Sequence, residues 1–241
     1  MKADGTTWLC ERKDGSLFDA IHAGDLPLGK LMFAAHQKIN GRDFWTEANH
    51  ITSLRVQEQA DAWIVEAVVE YTGRSATGPG HFRAGLRAAV FKRGGLALVK
   101  PLWIENSDKR PWLLAGPFWF CRSAIGGSTD DDIVGGANVP NYYRASQFIT
   151  DSKLGGCFGA IGQPDGWRVS FWKDTSIHPD VFWKMDRELR AGERHEFSGM
   201  PYVWIYALHD ANGWRDIARR NQQAAQGLLT AESAKAKPAA E

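Results

Sequence analysis

Carboxylates, an imidazole and an indole occur close together between residues 40 and 50. The turn signal Asn40-Gly41 is followed by Asp43, Trp45 and His50. Carboxylates and imidazoles exchange protons near neutral pH, and an indole offers a flat apolar face beside them. The segment therefore suits acid–base chemistry at an aromatic surface. The alternative is a surface turn whose polar side chains are solvated.

A second such segment, Asp-Thr-Ser-Ile-His-Pro-Asp, occupies residues 174–180. It contains Asp174 and His178 and directly follows the aromatic run 167–173, which includes Trp172. Two carboxylates and an imidazole on a loop that leaves a β-strand would suit general acid–base catalysis on a sugar. A solvated turn is again the alternative, because titratable side chains are common in loops.

The sequence lacks the spacing patterns of several other kinds of site. The seven histidines form no His-x-His or His-Glu-x-x-His motif, the three cysteines form no Cys-x-x-Cys pair, and no Gly-x-Ser-x-Gly motif occurs. Glu47 and His50 have metal-ligand spacing only if their segment is helical. Three consecutive aspartates at 130–132 could hold a cation, although a solvated loop is favoured because the calcium-loop spacing is missing. We expect no metal and no cofactor.

Length and composition limit the class of protein. The chain has 241 residues, 44% of them hydrophobic, and a formal net charge of +1. This apolar content suffices for one large core or two small ones, and no apolar run reaches the roughly 20 residues of a membrane helix. The balanced charge disfavours duplex nucleic acid and anionic membranes as partners. The 11 tryptophans fit an aromatic-rich β core and a ligand-binding surface equally well.

Alternation of apolar and polar residues with a period of two predicts strands through most of the chain. Ten strands are predicted, at residues 28–35, 52–57, 63–71, 82–92, 98–105, 113–122, 147–150, 167–173, 181–189 and 202–208. Gly, Asn, Asp or Pro separate them without intervening helical patterns, which predicts an all-β antiparallel sandwich or barrel. Residues 126–143 are predicted to form a long loop, and 154–162 a Gly-rich strand edge or a tight bend.

One helix is predicted near the C-terminus. Its apolar stripe consists of Trp214, Ile217, Ala218, Ala224, Ala225 and Leu228. Residues 230–241 are small and charged without an apolar anchor, which predicts a disordered tail. Because neither a linker nor a repeat is visible, we expect a single domain over residues 1–229.

Several motifs resemble those of the aldose 1-epimerases, also called galactose mutarotases. That family carries Glu-Thr-Gln-x-x-Pro-Asp and then Leu-x-Pro-Gly-Glu, and this sequence has the segment at 174–180 followed by Leu-Arg-Ala-Gly-Glu at 189–193. Residues 104–111 resemble the strand and turn that precede a catalytic histidine segment in those proteins. Residues 40–45, Asn-Gly-Arg-Asp-Phe-Trp, resemble a Gly-x-Asp-Phe-Trp stretch of a mutarotase-like, PmoA-related family.

The resemblance implies a β-supersandwich, a large antiparallel sandwich that binds carbohydrate on a concave face and also forms part of several polysaccharide lyases. It places the family's general base, a glutamate, at Asp174, whose side chain is one methylene shorter. The family's central histidine has no counterpart, because residues 115–120 read Ala-Gly-Pro-Phe-Trp-Phe. Proton transfer needs a donor within hydrogen-bond distance of the sugar ring oxygen, a role that His50 or His81 could take.

Two functions are therefore expected as alternatives. The first is a carbohydrate-active enzyme of epimerase or lyase type, with Asp174 or His178 as the base and His50 or His81 as the acid. Arginine side chains would hold a hydroxyl or carboxylate of the substrate. The expected substrate-binding residues are Trp45, Arg83, Arg87, Trp103, Trp119 and Trp172.

The second function is a non-catalytic carbohydrate-binding or accessory module that uses indole faces for stacking. Its candidate tryptophans lie in strands, where about half of the side chains point away from a ligand. They are Trp103, Trp112, Trp119, Trp172 and Trp183. A nucleic-acid binder with aromatic platforms is disfavoured because such surfaces are usually basic. The sequence indicates no compartment and no oligomeric state.

Overall fold

Two large β-sheets make up the protein. The computed structural model describes residues 1–73, 78–125, 131–135, 146–162, 167–173 and 177–217. These residues form 18 strands in two nine-stranded sheets, and the strand pairs within each sheet are antiparallel. The predicted all-β sandwich is confirmed.

The first sheet has the strand order β1-β2-β3-β4-β10-β15-β14, with β5 paired to β4 and β16 paired to β10. Its strands are β1 (Lys2–Ala3), β2 (Thr6–Leu9), β3 (Ser16–Ala23), β4 (Leu26–Ile39), β5 (Arg42–Glu47), β10 (Trp112–Ser123), β14 (Trp167–Lys173), β15 (Ile177–Trp183) and β16 (Arg187–Leu189).

The second sheet has the order β11-β12-β13-β18-β9-β8-β7-β6, with β17 paired to β9. Its strands are β6 (His50–Glu58), β7 (Ala62–Tyr71), β8 (Phe82–Phe91), β9 (Leu96–Asn106), β11 (Asp131–Gly135), β12 (Ser146–Asp151), β13 (Gly156–Ile161), β17 (Arg194–Glu196) and β18 (Val203–Leu208).

The main hydrophobic core lies between the two sheets. On β4, Leu31, Phe33 and Ala35 belong to this core. Phe33 packs edge-on against Trp119 of β10 and Phe82 of β8, with ring centroids 5.3 Å and 6.1 Å apart. Trp119 is completely buried. Its indole is therefore a core side chain that a substrate on either outer face would not reach, although the sequence placed it among the binding residues.

Every predicted strand segment coincides with a strand, whereas seven strands lie outside the ten predicted segments: β1, β2, β3, β5, β11, β13 and β17. The segment 181–189 is divided, because β15 ends at Trp183 and β16 begins at Arg187. The predicted loop 126–143 contains β11, and the Gly-rich stretch 154–162 contains β13, which pairs with both β12 and β18. Glycines obscured this strand, although all six of its residues are buried. Strand β3 was missed for a different reason. Its register against β4 shifts at several positions, and these shifts break the alternation of apolar and polar residues that would have predicted it.

A helix begins at Trp214, as the sequence predicts, and the described residues end within it at Ile217. Residues 218–241, including the predicted domain limit at 229 and the tail 230–241, lie outside the described residues. Across the described part of the chain, no helix has the length and apolar character needed to cross a bilayer.

Asn106, at the end of β9, connects the two sheets at one end of the sandwich. Its buried Nδ2 donates hydrogen bonds to the carbonyls of Leu189 at 2.8 Å and Arg110 at 2.9 Å, and its Oδ1 accepts one from the Asp108 amide at 2.8 Å. Its backbone carbonyl also accepts a hydrogen bond from the Gly192 amide. Asn106 therefore anchors the segment that runs from β16 of the first sheet to β17 of the second.

We expect Asn106→Leu to lower the free energy of unfolding by at least about 2 kcal/mol, because buried backbone groups would lose their partners. Urea denaturation followed by circular dichroism measures this change. Asn212→Leu is the matched control at an exposed position and should change the value by less than about 0.5 kcal/mol. Equal effects of the two substitutions would contradict the anchoring role of Asn106.

Candidate functional site

Apart from the buried Trp119, the predicted site residues whose side chains are described are divided between the two sheets. Trp45 lies on β5 of the first sheet, whereas His50, Arg83, Arg87 and Trp103 lie on strands of the second.

The segment 174–180 can be described only in part. Asp174 lies outside the described residues. Trp172 and His178 are directly paired in the register of β14 and β15, and the structure describes the backbone alone at these two positions. Asp180 is buried and pairs with Phe120 of β10. The expected catalytic roles of Asp174 and His178 remain predictions.

A tight hairpin positions the site on the first sheet. Asn40 and Gly41 have φ angles of 53° and 76°, which are the left-handed values that a two-residue type I′ turn requires. This turn places His36 of β4 directly opposite Trp45 of β5, and Lys38 opposite Asp43. The hairpin therefore assembles a cluster that we call the Trp45 platform, consisting of His36, Asp43 and Trp45.

The Trp45 platform combines an exposed aromatic face with a hydrogen-bonded imidazole. The rings of His36 and Trp45 are stacked, with centroids 4.6 Å apart and an interplanar angle of 11°. Trp45 is 50% exposed, which makes it one of the few large apolar side chains of the described residues that solvent reaches so fully. Nε2 of His36 lies 2.8 Å from Oδ1 of Asp43, and Nζ of Lys38 is 3.9 Å from the same oxygen.

Buried polar side chains hold the inner face of the same hairpin. The Thr46 hydroxyl donates to Oε1 of Gln37 at 3.0 Å, and Nε2 of Gln37 donates to the Gly80 carbonyl at 2.8 Å. Both Gln37 and Thr46 are buried. A shift of the strands by one residue would expose these groups and bury the platform. The inner hydrogen bonds therefore fix which side chains face the solvent.

An aromatic cluster and an ion pair continue the outer face beyond the platform. Phe118 and Phe120 of β10 contact each other with ring centroids 4.6 Å apart. The Arg122 guanidinium lies over the Phe120 ring at 5.0 Å and donates to Glu47 at 2.5 Å. Glu47 follows Trp45 by two residues on β5, and so both side chains lie on the outer face. Phe118 and Phe120 are buried at 4% and 6% exposure, so Trp45 is the exposed ring among the described side chains of this face.

The second sheet carries a row of charged side chains on its outer face. His50, Glu70, Arg83, Glu105 and Arg194 are successive cross-strand neighbours on β6, β7, β8, β9 and β17. Arg83 lies 4.0 Å from Glu70 and 3.9 Å from Glu105, and Arg194 donates to Glu105 at 2.6 Å. The predicted residues His50 and Arg83 therefore do share one face, as parts of an exposed charge network.

Trp103 lies on this same face but is covered on one side. A Cβ at Gly85 would approach the Trp103 indole to 2.2 Å, which shows that the ring lies against the β8 backbone. The Arg194 guanidinium lies over the ring at 3.9 Å. An indole held between a backbone and a guanidinium offers a ligand less stacking surface than the exposed Trp45 does. Arg87 pairs with Glu66 and Lys100 in a neighbouring row.

His81 precedes β8 and lies edge-on to Tyr71, with ring centroids 6.1 Å apart. Its backbone amide donates to Asp108 at 3.4 Å. Partial burial alone would raise the pKa of Asp108, but hydrogen bonds from the Arg110 amide and guanidinium outweigh it and hold the pKa below its usual value. Asp108 is thus an ionised acceptor that supports this turn.

Metal ligation is not supported where side chains are described. No group of three or more His, Cys, Asp or Glu side chains in that part of the chain could hold a metal ion. Glu47 and His50 lie on two different strands, so their helical ligand spacing does not apply. Of the aspartates at 130–132, Asp130 is outside the described residues and the other two lie on β11.

Comparisons with known proteins find similarity in three-dimensional structure. No family model matches the sequence, and no curated protein matches it. The chain is similar to a protein described as a "putative aldose 1-epimerase" from Escherichia coli K12, with a TM-score of 0.44 and 9% identity over 84% of this chain and 99% of the other.

Two further solved structures are similar. A "putative aldose 1-epimerase" from Klebsiella pneumoniae gives a TM-score of 0.41 and 8% identity over 83% of this chain and 68% of the other. A polysaccharide lyase gives a TM-score of 0.36 and 8% identity over 90% of this chain, which spans 34% of the lyase.

Sequence reasoning missed His36. It identified Trp45, Asp43 and the Asn40-Gly41 turn but did not pair the residues on the two sides of the turn. A two-residue Asn-Gly loop is the strongest short-range hairpin signal, and counting outward from it places His36 opposite Trp45. The signal was therefore present in the sequence.

We expect Thr46→Val to lower the free energy of unfolding by about 1–3 kcal/mol, because Oε1 of Gln37 would lose its buried donor. Hydrogen exchange should also accelerate in residues 36–47. Thr46→Ser keeps the hydroxyl and should restore most of the loss. Thr52→Val, the same change at an exposed position of β6, is the control. A neutral Thr46→Val variant would show that these hydrogen bonds do not hold the hairpin.

Proposed function

We propose that the protein binds a carbohydrate on the outer face of the first sheet, at the exposed edge of the stack that Trp45 forms with His36, and that His36 exchanges a proton with a sugar there. The observation that carries this proposal is the parallel stack of Trp45 on an imidazole that is itself hydrogen-bonded to Asp43. At this edge the indole contacts the apolar part of a sugar ring, while the adjacent imidazole and carboxylate reach its hydroxyls.

The hydrogen bond to Asp43 gives the two nitrogens of His36 different roles. A proton on Nε2 is donated to the carboxylate, which leaves the lone pair of Nδ1 available as a base. Within the described part of the chain, Nδ1 makes no hydrogen bond. Asp43 thus acts as a positioning residue that fixes the orientation of the ring, and Nδ1 is the atom that would meet the sugar.

Two reactions fit a single imidazole of this kind together with a second proton-transfer group. In an epimerase, the base removes the proton of the anomeric hydroxyl, an acid protonates the ring oxygen, and the bond between C1 and that oxygen breaks and re-forms. In a lyase, the base removes the C5 proton of a uronate, a double bond forms between C4 and C5, and the glycosidic oxygen leaves C4 with a proton from the acid. Asp174 and His178 stay predictions for this role. Asp180 pairs with Phe120 and His36 pairs with Gly116, four residues away on β10, so the described part of the His178 segment lies more than about 13 Å along the sheet from His36.

A lyase would have to neutralise the carboxylate of its uronate. On the described outer face, Arg122 is paired with Glu47 and Lys38 lies near Asp43, whereas Arg168 of β14, opposite Phe182, is exposed. An exposed arginine is the kind of group that a lyase would use for its uronate, so the two forms are separated by assay.

We expect His36→Gln to reduce turnover of the active sugar by about 10²–10⁴-fold, because a positioned general acid or base contributes this much. Anomer exchange followed by NMR tests the epimerase form, and absorbance of an unsaturated uronate product tests the lyase form. His50→Gln is the matched control, since His50 lies on the other sheet. Loss of turnover in His50→Gln with a fully active His36→Gln would move the chemistry to the second sheet.

The second candidate function is a carbohydrate-binding or accessory module without turnover. The exposure of Trp45 favours it, because a solvent-accessible indole is sufficient for stacking in the absence of catalysis. In this form, neither the anomer exchange nor the cleavage assay would show turnover.

We expect Trp45→Ala to weaken binding of the active sugar or glycan by about tenfold or more, because the stacking surface is lost. Isothermal titration calorimetry or a glycan array measures the change. Trp45→Phe keeps an aromatic face and should retain part of the affinity, while Leu154→Ala removes another exposed apolar side chain as a control. An unchanged affinity in Trp45→Ala would rule out the platform in both candidate functions.

A further inference from the structure

Apolar side chains form two adjacent cross-strand rows on the outer face of the second sheet. The first row crosses five strands, from β7 to β13, and consists of Ile64, Ala89, Leu98, Trp204 and Ile161. The second row crosses four strands, from β9 to β12, and consists of Leu96, Tyr206, Gly159 and Phe148. We call this surface the apolar rows.

One end of the apolar rows is buried by the start of the C-terminal helix. Ile217 is 3% exposed and belongs to one cluster with Phe148, Ile161 and Tyr206, against which Trp214 also packs. The other end is less covered, since Ile64, Ala89 and Leu98 are all partly exposed. The rows therefore extend beyond the helical residues that the structure describes.

We propose that residues 218–229 continue this helix across the outer face and bury the exposed end of the apolar rows. The described chain ends at Ile217, directly on these rows, and the next residues carry the rest of the apolar stripe. A helix over 214–229 would be about 24 Å long at 1.5 Å per residue. The distance from β13 to β7 is about 19 Å at 4.8 Å per strand, so the helix is long enough.

The pattern of residues 218–229 fits a helix that lies on one face. At 100° per residue, Ala218, Ala225 and Leu228 fall within the same stripe as Trp214 and Ile217, and Asn221 is the one polar residue among them. Arg219 and Gln223 fall on the opposite side, where they would meet solvent. The adjoining row on the sheet contains Glu66, Arg87 and Lys100, whose charges bound the apolar rows. Residues 218–229 of the same chain are therefore the segment that we propose on the apolar rows, with their apolar stripe toward the sheet.

Site-specific photo-cross-linking of the full chain tests this proposal. We place p-benzoylphenylalanine at Leu228, irradiate the native protein and identify the cross-linked peptides by mass spectrometry. The expected products join residue 228 to peptides of the same molecule that contain Ile64, Ala89 or Leu98. The same probe at Gln223, on the opposite side of the stripe, is the matched control and should give few such products.

Three outcomes would overturn the proposal. Cross-links between two copies would show that a second chain covers the apolar rows, cross-links to the first sheet would place the segment elsewhere, and the absence of cross-links would show that the segment does not dock.

A second experiment uses charge variants and needs no photo-reactive probe. Leu228→Glu should accelerate trypsin cleavage after Arg219 or Arg220 by about tenfold relative to Gln223→Glu, because undocking exposes these bonds. Equal cleavage rates would contradict docking.

Discussion

The register between β4 and β5 is the constraint on which the proposed site depends. The Asn40-Gly41 turn sets this register, and the buried hydrogen bonds among Thr46, Gln37 and Gly80 hold it from the inside. Because side chains alternate across a strand, the same pairing that buries Gln37 and Thr46 also directs His36 and Trp45 outward. The register between β4 and β5 therefore determines both the buried hydrogen bonds on the inner face and the Trp45 platform on the outer face.

The two outer faces differ in what they can bind. On the first sheet, a half-exposed indole lies beside a hydrogen-bonded imidazole, and the nearby cations lie close to carboxylates. On the second sheet, a row of alternating charges borders apolar side chains that meet the C-terminal helix. The first face thus offers a ligand both apolar contact and proton-exchanging groups, whereas the second buries one end of its apolar surface against the start of the C-terminal helix.

Alternation in the sequence was sufficient to predict most strands and the all-β class, because one face of each strand is buried. It was insufficient where both faces are buried, as in the Gly-containing β13, or where bulges interrupt the period, as in β3. The division of Trp45 and Arg83 between two sheets depends on long-range pairing, which local patterns do not encode. His36, in contrast, depends on a two-residue turn, and its position opposite Trp45 follows from the local sequence.

An exposed tryptophan on a short edge strand requires support from the rest of the fold. Among the described residues, β5 pairs only with β4 and so lies at an edge of the sheet. Exposure of a large apolar surface is unfavourable in water, and the stack on His36 removes one face of the indole from solvent. The same stack and the bond to Asp43 restrict the imidazole from two directions. The arrangement that limits the cost of exposing Trp45 is therefore also the arrangement that orients Nδ1 of His36.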